Sequence, residues 1–146
     1  MSSELSELIN KIDWKKVSDQ LPVIVQNYQT AEVLMFGVMT KEALEKTLTE
    51  NVVTFYSRTK GRLWTKGETS GDFLKVMNYA LDCDQDTLLI TAIPIGNTCH
   101  LGNKSCFNSV SSELPWVFFS HLEEMLEERK TADPATSYTA SLYATG

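Results

Sequence analysis

Residues 73–95 read FLKVMNYALDCDQDTLLITAIPI. The second half, Thr87 to Ile95, is a run of β-branched and apolar residues and carries a strand signature. Phe73 to Asp82 is ambiguous by period alone. Its position just before that strand makes it the other arm of a hairpin, so the segment predicts two paired strands. Working back toward the N-terminus, Val52 to Arg58 (VVTFYSR) and Arg62 to Lys66 (RLWTK) read as a second strand pair around the turn Thr59-Lys60-Gly61, with a loop over Gly67 to Gly71. Leu21 to Gln29 and Val33 to Met39 are two more strands, separated by Thr30-Ala31-Glu32. The latter, VLMFGVM, is nearly all apolar, which predicts burial on both faces.

Helices flank these strands. Glu4 to Val17 places Leu5, Leu8, Ile9, Ile12 and Val17 at amphipathic spacing. Thr40 is an N-cap for a helix running to about Glu50, without a full capping box because Ala43 occupies the third helical position. Gly96 to Asn108 is a polar loop. A further helix starts at Pro115 and ends near Lys130, with an apolar stripe at Val117, Phe118, His121, Leu122, Met125 and Leu126 and a solvated acidic side at Glu123, Glu124, Glu127 and Glu128. Asp133-Pro134 breaks the pattern, and Ser137 to Gly146 is weakly patterned. The predicted fold class is α+β, a mixed, mostly antiparallel sheet with flanking helices.

Composition bounds the function. The chain has 146 residues, 42% hydrophobic and 22% charged, enough for one compact domain with little left for a second. A formal charge of −6 argues against broad nucleic-acid binding, so any phosphate must meet a local basic patch. No apolar run approaches the ~18 residues of a membrane span. The start, MSSEL, lacks the features of a secretory signal, and an odd count of three cysteines argues for a reducing compartment; a cytoplasmic location is expected.

Three segments carry chemistry. In Asp82-Cys83-Asp84-Gln85-Asp86, an extended chain points the three carboxylates one way and Cys83 the other. Such a set either holds a hard divalent cation such as Mg²⁺ or is a solvated acidic turn; the spacing is not that of an EF-hand. In Cys99-His100-Leu101-Gly102-Asn103-Lys104-Ser105-Cys106, two cysteines and a histidine share one loop, and Cys83 adds a third thiolate. Three thiolates leave zinc one open position, where a bound water has its pKa lowered toward 7. His100 is then a general acid/base, or alternatively a fourth ligand that closes the site. In residues 57–71, SRTKGRLWTKGETSG, the cations Arg58, Lys60, Arg62 and Lys66 are suited to phosphate, and Trp64 to stacking on a base. A basic solvent-facing hairpin is the plainer reading. Together the three segments point to hydrolysis on a nucleotide.

These segments, SRTKGRLWTKGETSG, DCDQD and CHLGNKSCF (99–107), resemble the phosphoribosyl-AMP cyclohydrolase family of histidine biosynthesis. Leu101 departs from the family pattern, where a threonine is expected. The resemblance implies zinc on Cys83, Cys99 and Cys106, with Cys83 supplied by the other subunit of a homodimer whose metal sites lie at the interface. It implies Mg²⁺ on Asp82, Asp84 and Asp86, attack at C6 of the purine with rupture of the N1–C6 bond, and proton transfer by His100. Arg58, Arg62 and Lys66, with Trp64, Ser70 and Gly71, are the expected substrate contacts. Residues 114–146 are similar to the start of a phosphoribosyl-ATP pyrophosphatase domain, following a cyclohydrolase domain at 1–113; that second activity is not expected from this chain. Two alternatives stand beside the enzyme: a non-enzymatic zinc module binding a nucleotide or protein, and a fragment inactivated by truncation. Trp14, Trp116, Phe118, Phe119, His121, Met35 and Met39 read as packing residues. No nucleic-acid or membrane partner is expected.

Overall fold

The computed structural model describes residues 2–107, 115–130 and 142. It divides into two units, Met1–Asn108 and Ser109–Gly146, taken separately below. The first contains α1 (Ser3–Lys11), β1 (Leu21–Asn27), β2 (Val33–Met39), α2 (Lys41–Glu50), β3 (Thr54–Ser57), β4 (Arg62–Thr65), β5 (Leu74–Leu81) and β6 (Leu88–Pro94). The second contributes α3 (Pro115–Lys130).

The hairpin of residues 73–95 forms as expected, with β5 and β6 antiparallel from Leu81↔Leu88 to Leu74↔Pro94 and a bulge between Val76 and Asn78. It extends into a four-stranded sheet of order β2-β1-β6-β5, in which only β1 and β6 run parallel. A separate antiparallel ribbon pairs β3 with β4. The architecture is therefore α+β with a mixed, mostly antiparallel sheet.

Alternation along the strands builds the core. Leu21, Val23 and Val25 of β1 and Leu88, Ile90 and Ala92 of β6 are buried. Leu5 and Leu8 of α1 and Ala43, Leu44 and Thr47 of α2 are buried as well. Each large apolar side chain so placed contributes roughly 1.5–3 kcal/mol. Thr40 caps α2 as predicted, its Oγ1 accepting from Ala43 N at 3.2 Å. Gly37 lets the ribbon close on the sheet: a Cβ there would collide with the Phe55 ring.

Three expectations need correction. Strand β2 is not buried on both faces. It is an edge strand, and Val33 and Phe36 are exposed while Leu34 and Met39 are buried. Phe36 pairs with Ile24, which pairs with Leu89, so the outer face of the sheet carries a continuous apolar row, Phe36 being 50% exposed. The first helix stops at Lys11 rather than Val17, because Ile12 turns extended and Asp13 N–H donates to the Gln85 carbonyl at 2.9 Å. Strand β1 stops at Asn27, whose Oδ1 accepts from the N–H groups of Gln29 and Thr30 and so starts the turn two residues early.

In the second unit, α3 has the predicted bounds. Leu122 and Leu126 are half-buried, and the glutamates at 123, 124, 127 and 128 are exposed. Phe119, read as a packing residue, and Met125 of the apolar stripe are exposed. The side chains of Trp116, Val117, Phe118 and His121, the Asp133-Pro134 break and the 137–146 pattern (position 142 apart) fall outside the described residues. No helix among the described residues is long and apolar enough to cross a membrane.

Candidate active site

Two loops on the first unit make the principal cavity, of about 540 Å³. One follows β4. Gly67 turns there with φ +89°, and a Cβ would stand 2.5 Å from the Asp72 carbonyl carbon, so the loop folds back on itself only because position 67 is glycine. The other follows β6. Gly102 N–H donates to the Cys99 carbonyl (2.9 Å) and Cys99 N–H to the Asn103 carbonyl (3.0 Å), which curls the loop. Ser105, fully buried, then anchors its far end on β2, donating from Oγ to the Val33 carbonyl at 2.6 Å, while Cys106 N–H donates to the Leu34 carbonyl at 2.8 Å.

The result brings Trp64, Lys66, Ser70, Cys99, His100 and Cys106 to the wall of one cavity. Cys99 and Cys106 are close enough to interact: partial desolvation pushes the Cys106 thiol up, Cys99 adds to that, and Lys66 opposes it. Lys66 is 6% exposed, and its Nζ donates to the Asp72 carbonyl at 2.8 Å. Burial holds its ammonium below the usual lysine range, against the pull of Asp72 and the two thiols. Trp64 is packed rather than free, stacked on Phe55 at 6.3 Å with Lys60 Nζ 5.6 Å from its ring.

Other expected contacts stand apart from this wall. Arg58 lines a smaller neighbouring cavity of about 260 Å³ that shares Met35 and Trp64 with the first. Arg62 is paired to Glu68 at 2.9 Å and donates to the Leu63 carbonyl. That pairing holds the Glu68 carboxyl below the usual range. Gly71 has φ +83° in the loop but does not line the cavity. Sequence reasoning missed Glu68, Thr69, Asp72, Asn97 and Thr98 as lining residues, although all five lie inside or beside the motifs. It also missed Ser105, since no pattern marks one serine in a polar loop as an anchor.

The acidic segment forms differently from its expectation. Asp82 to Asp86 is the tight turn of the β5–β6 hairpin, with Gln85 at φ +62°, and not an extended run. Strand alternation therefore does not sort its side chains. The turn itself gathers the carboxylates of Asp82, Asp84 and Asp86, whose ligand atoms come within 4.8 Å of one another. Asp82 Oδ1 accepts from the N–H groups of Asp86 (2.9 Å) and Thr87 (3.0 Å), and Lys16 Nζ pairs with Asp86 Oδ2 at 2.6 Å. Hydrogen bonding from Lys16, then the contact with Asp82, holds the Asp86 carboxyl below the usual range. Asp82 and Asp84 are exposed and Asp86 is half-buried, and all three offer hard oxygen donors, which fits a divalent cation.

The three cysteines do not meet within one chain. Cys83 sits in the hairpin turn before β6, and Cys99 and Cys106 sit in the loop after it. The seven residues of β6 put roughly 20 Å between the two ends. Two thiols and a histidine on one cavity are a fitting but incomplete donor set for zinc.

Residues 35–108 match the family model described as phosphoribosyl-AMP cyclohydrolase. The chain belongs to the phosphoribosyl-AMP cyclohydrolase family. Membership gives the enzyme class, a cyclohydrolase, and the matched segment contains both loops and the acidic turn. The chain is similar along most of its length to proteins named histidine biosynthesis bifunctional protein HisIE. It is 60% identical to that of Pasteurella multocida (strain Pm70), covering 93% of this chain and 69% of the relative. It is 58% identical to that of Escherichia coli (strain K12), covering 93% and 66%. For Vibrio cholerae serotype O1 the identity is 54%, covering 99% and 70%. The chain thus spans about two thirds of the length of these relatives.

Proposed function

We propose that this chain, as a homodimer in the cytoplasm, hydrolyses the N1–C6 bond of the adenine ring of phosphoribosyl-AMP in a zinc- and Mg²⁺-dependent reaction of histidine biosynthesis. The observation that carries the reading is the cavity in which Cys99, Cys106, His100 and Lys66 meet Trp64 and Ser70, inside the segment that matches the family.

Cys99 and Cys106 of one subunit, with Cys83 of the other, are the zinc ligands in this proposal. Bound there, zinc would acidify a water and so supply a nucleophile at neutral pH. Asp82, Asp84 and Asp86 hold Mg²⁺, with Lys16 balancing their charge in its absence. Substitution of N1 by phosphoribose makes C6 electrophilic, and His100, next in the chain to Cys99, delivers the proton that N1 needs as the bond breaks. Trp64, fixed by Phe55, offers a flat face to the base. Lys66 and Ser70 meet phosphate oxygens from inside the cavity, Gly71 leaves the loop backbone open to them, and Arg58 and Arg62 approach from outside it.

Two findings support the dimer. The third cysteine is at the wrong end of β6 to join the other two within one chain, and the outer face of the sheet presents the apolar row Phe36–Ile24–Leu89. Residues 1–113 form the cyclohydrolase domain in this reading, and 114–146 a segment that the reaction does not use. The deciding assay is turnover of phosphoribosyl-AMP followed by ultraviolet absorbance. Wild-type protein turns over and Cys99→Ala does not; a folded, zinc-loaded, Mg²⁺-supplied wild-type dimer without turnover would sink the proposal.

A further inference from the structure

The cavity wall contains one polar atom that the fold leaves without a use. Thr98 is 2% exposed and lines the cavity, and its Oγ1 has no hydrogen-bond partner among the described residues. It is the sole buried side-chain oxygen or nitrogen there in that position. Other buried hydroxyls of this unit are engaged: Thr47 with Ala43 and Thr54, Thr54 with Thr65, Thr30 with Glu32, and Ser105 with Val33 and Leu34. A buried hydroxyl without a partner opposes folding, because it has given up water and gained nothing. Valine, of the same shape, would cost the fold nothing at this position. A hydroxyl retained there is explained by something that fills the cavity.

The position in the chain narrows what that is. Thr98 is adjacent to Cys99, and consecutive Cα atoms are about 3.8 Å apart. A group within hydrogen-bond reach of Thr98 is therefore beside the thiols, where the ring under attack must lie. The cationic and glycine-rich contacts for phosphate are on the other loop. A hydroxyl both donates and accepts, and a purine edge presents both ring-nitrogen acceptors and an exocyclic amine. Thr98 Oγ1 is itself closed to solvent, and contact with a ligand takes a rotation about the Cα–Cβ bond, which exchanges the hydroxyl with the methyl.

We propose that Thr98 is a substrate-contacting residue whose hydroxyl hydrogen-bonds the polar edge of the purine base. The proposal rests on the cyclohydrolase reading. Its distinguishing mark is that binding and stability move independently: removing the hydroxyl weakens the substrate complex without weakening the empty protein.

The test compares Thr98→Val and Thr98→Ser with wild type in the full chain. Phosphoribosyl-AMP is titrated calorimetrically into metal-stripped protein, thermal unfolding is recorded without ligand, and KM and kcat are measured on metal-loaded protein. The expected result is about a tenfold loss of affinity and a similar rise in KM for Thr98→Val, with kcat little changed. Its unfolding temperature equals or exceeds that of wild type, and Thr98→Ser recovers most of the affinity. Equal affinity and KM in Thr98→Val would overturn the inference while leaving the cyclohydrolase reading intact. A lowered unfolding temperature in Thr98→Val, or no recovery in Thr98→Ser, would also overturn it by making the role structural. Wild-type protein that neither binds nor turns over phosphoribosyl-AMP would remove the parent reading, and the inference with it.

Discussion

Thr47 ties α2 to the ribbon through one hydroxyl. It is fully buried, has the carbonyls of Ala43 (2.8 Å) and Thr54 (3.0 Å) within reach of its single O–H, and accepts from Thr54 N–H (2.9 Å). Thr47→Val keeps the shape but strands the Thr54 amide, so it should lower the unfolding free energy by about 1–3 kcal/mol in a denaturant titration. Saturated turnover should be unchanged. Residue types and spacings announced the cysteines, the carboxylates and Thr40 as a cap, because each does its work within a few positions of its own. Thr47, Ser105 and Thr98 were not legible in this way. Their roles depend on partners or on empty space supplied by distant segments; Ser105 and Val33 are 72 positions apart.

At the scale of elements, the loop after β4 is the part of the site most dependent on a single backbone angle. Gly67→Ala puts a side chain at φ +89° and against the Asp72 backbone. The expected cost is about 1 kcal/mol or more, with a rise in KM as the loop opens, read by thermal unfolding and steady-state kinetics on one preparation. The strands were legible because alternation and β-branching act locally. Their ends were set elsewhere: Gln85 draws Asp13 away from a helical path, and Asn27 folds its own side chain over the following turn. The same applies to the acidic segment. Its composition fitted either an extended run or a turn, and the closure of β5 on β6 chose the turn.

At the scale of the molecule, the proposed zinc site, shared between two subunits, has a sharp consequence. Cys83→Ala and Cys99→Ala should each be inactive as pure dimers. When the two are mixed and allowed to exchange subunits, half the dimers are mixed. Each mixed dimer has one intact set of three thiols, so roughly a quarter of wild-type activity returns. Absence of any recovery, with subunit exchange verified by mass spectrometry, would exclude a site built from both chains. Of the apolar row Phe36–Ile24–Leu89, Phe36 was expected to be buried because β2 is so apolar. Its place at the sheet edge with one face open was not readable, since strand order is a property of the whole sheet.

The sequence by itself determined the secondary elements, the hairpin of residues 73–95, the fold class and the family, because periodicity and motif spacing are written along the chain. Tertiary structure decided which residues of separate loops share a wall. It placed Lys66 in a buried position beside the thiols and engaged Arg62 with Glu68. It set Cys83 one strand-length from Cys99, and it left the Thr98 hydroxyl unpartnered. These are matters of distance in space between residues far apart or differently folded, and pairing in three dimensions, not spacing in the chain, sets that distance.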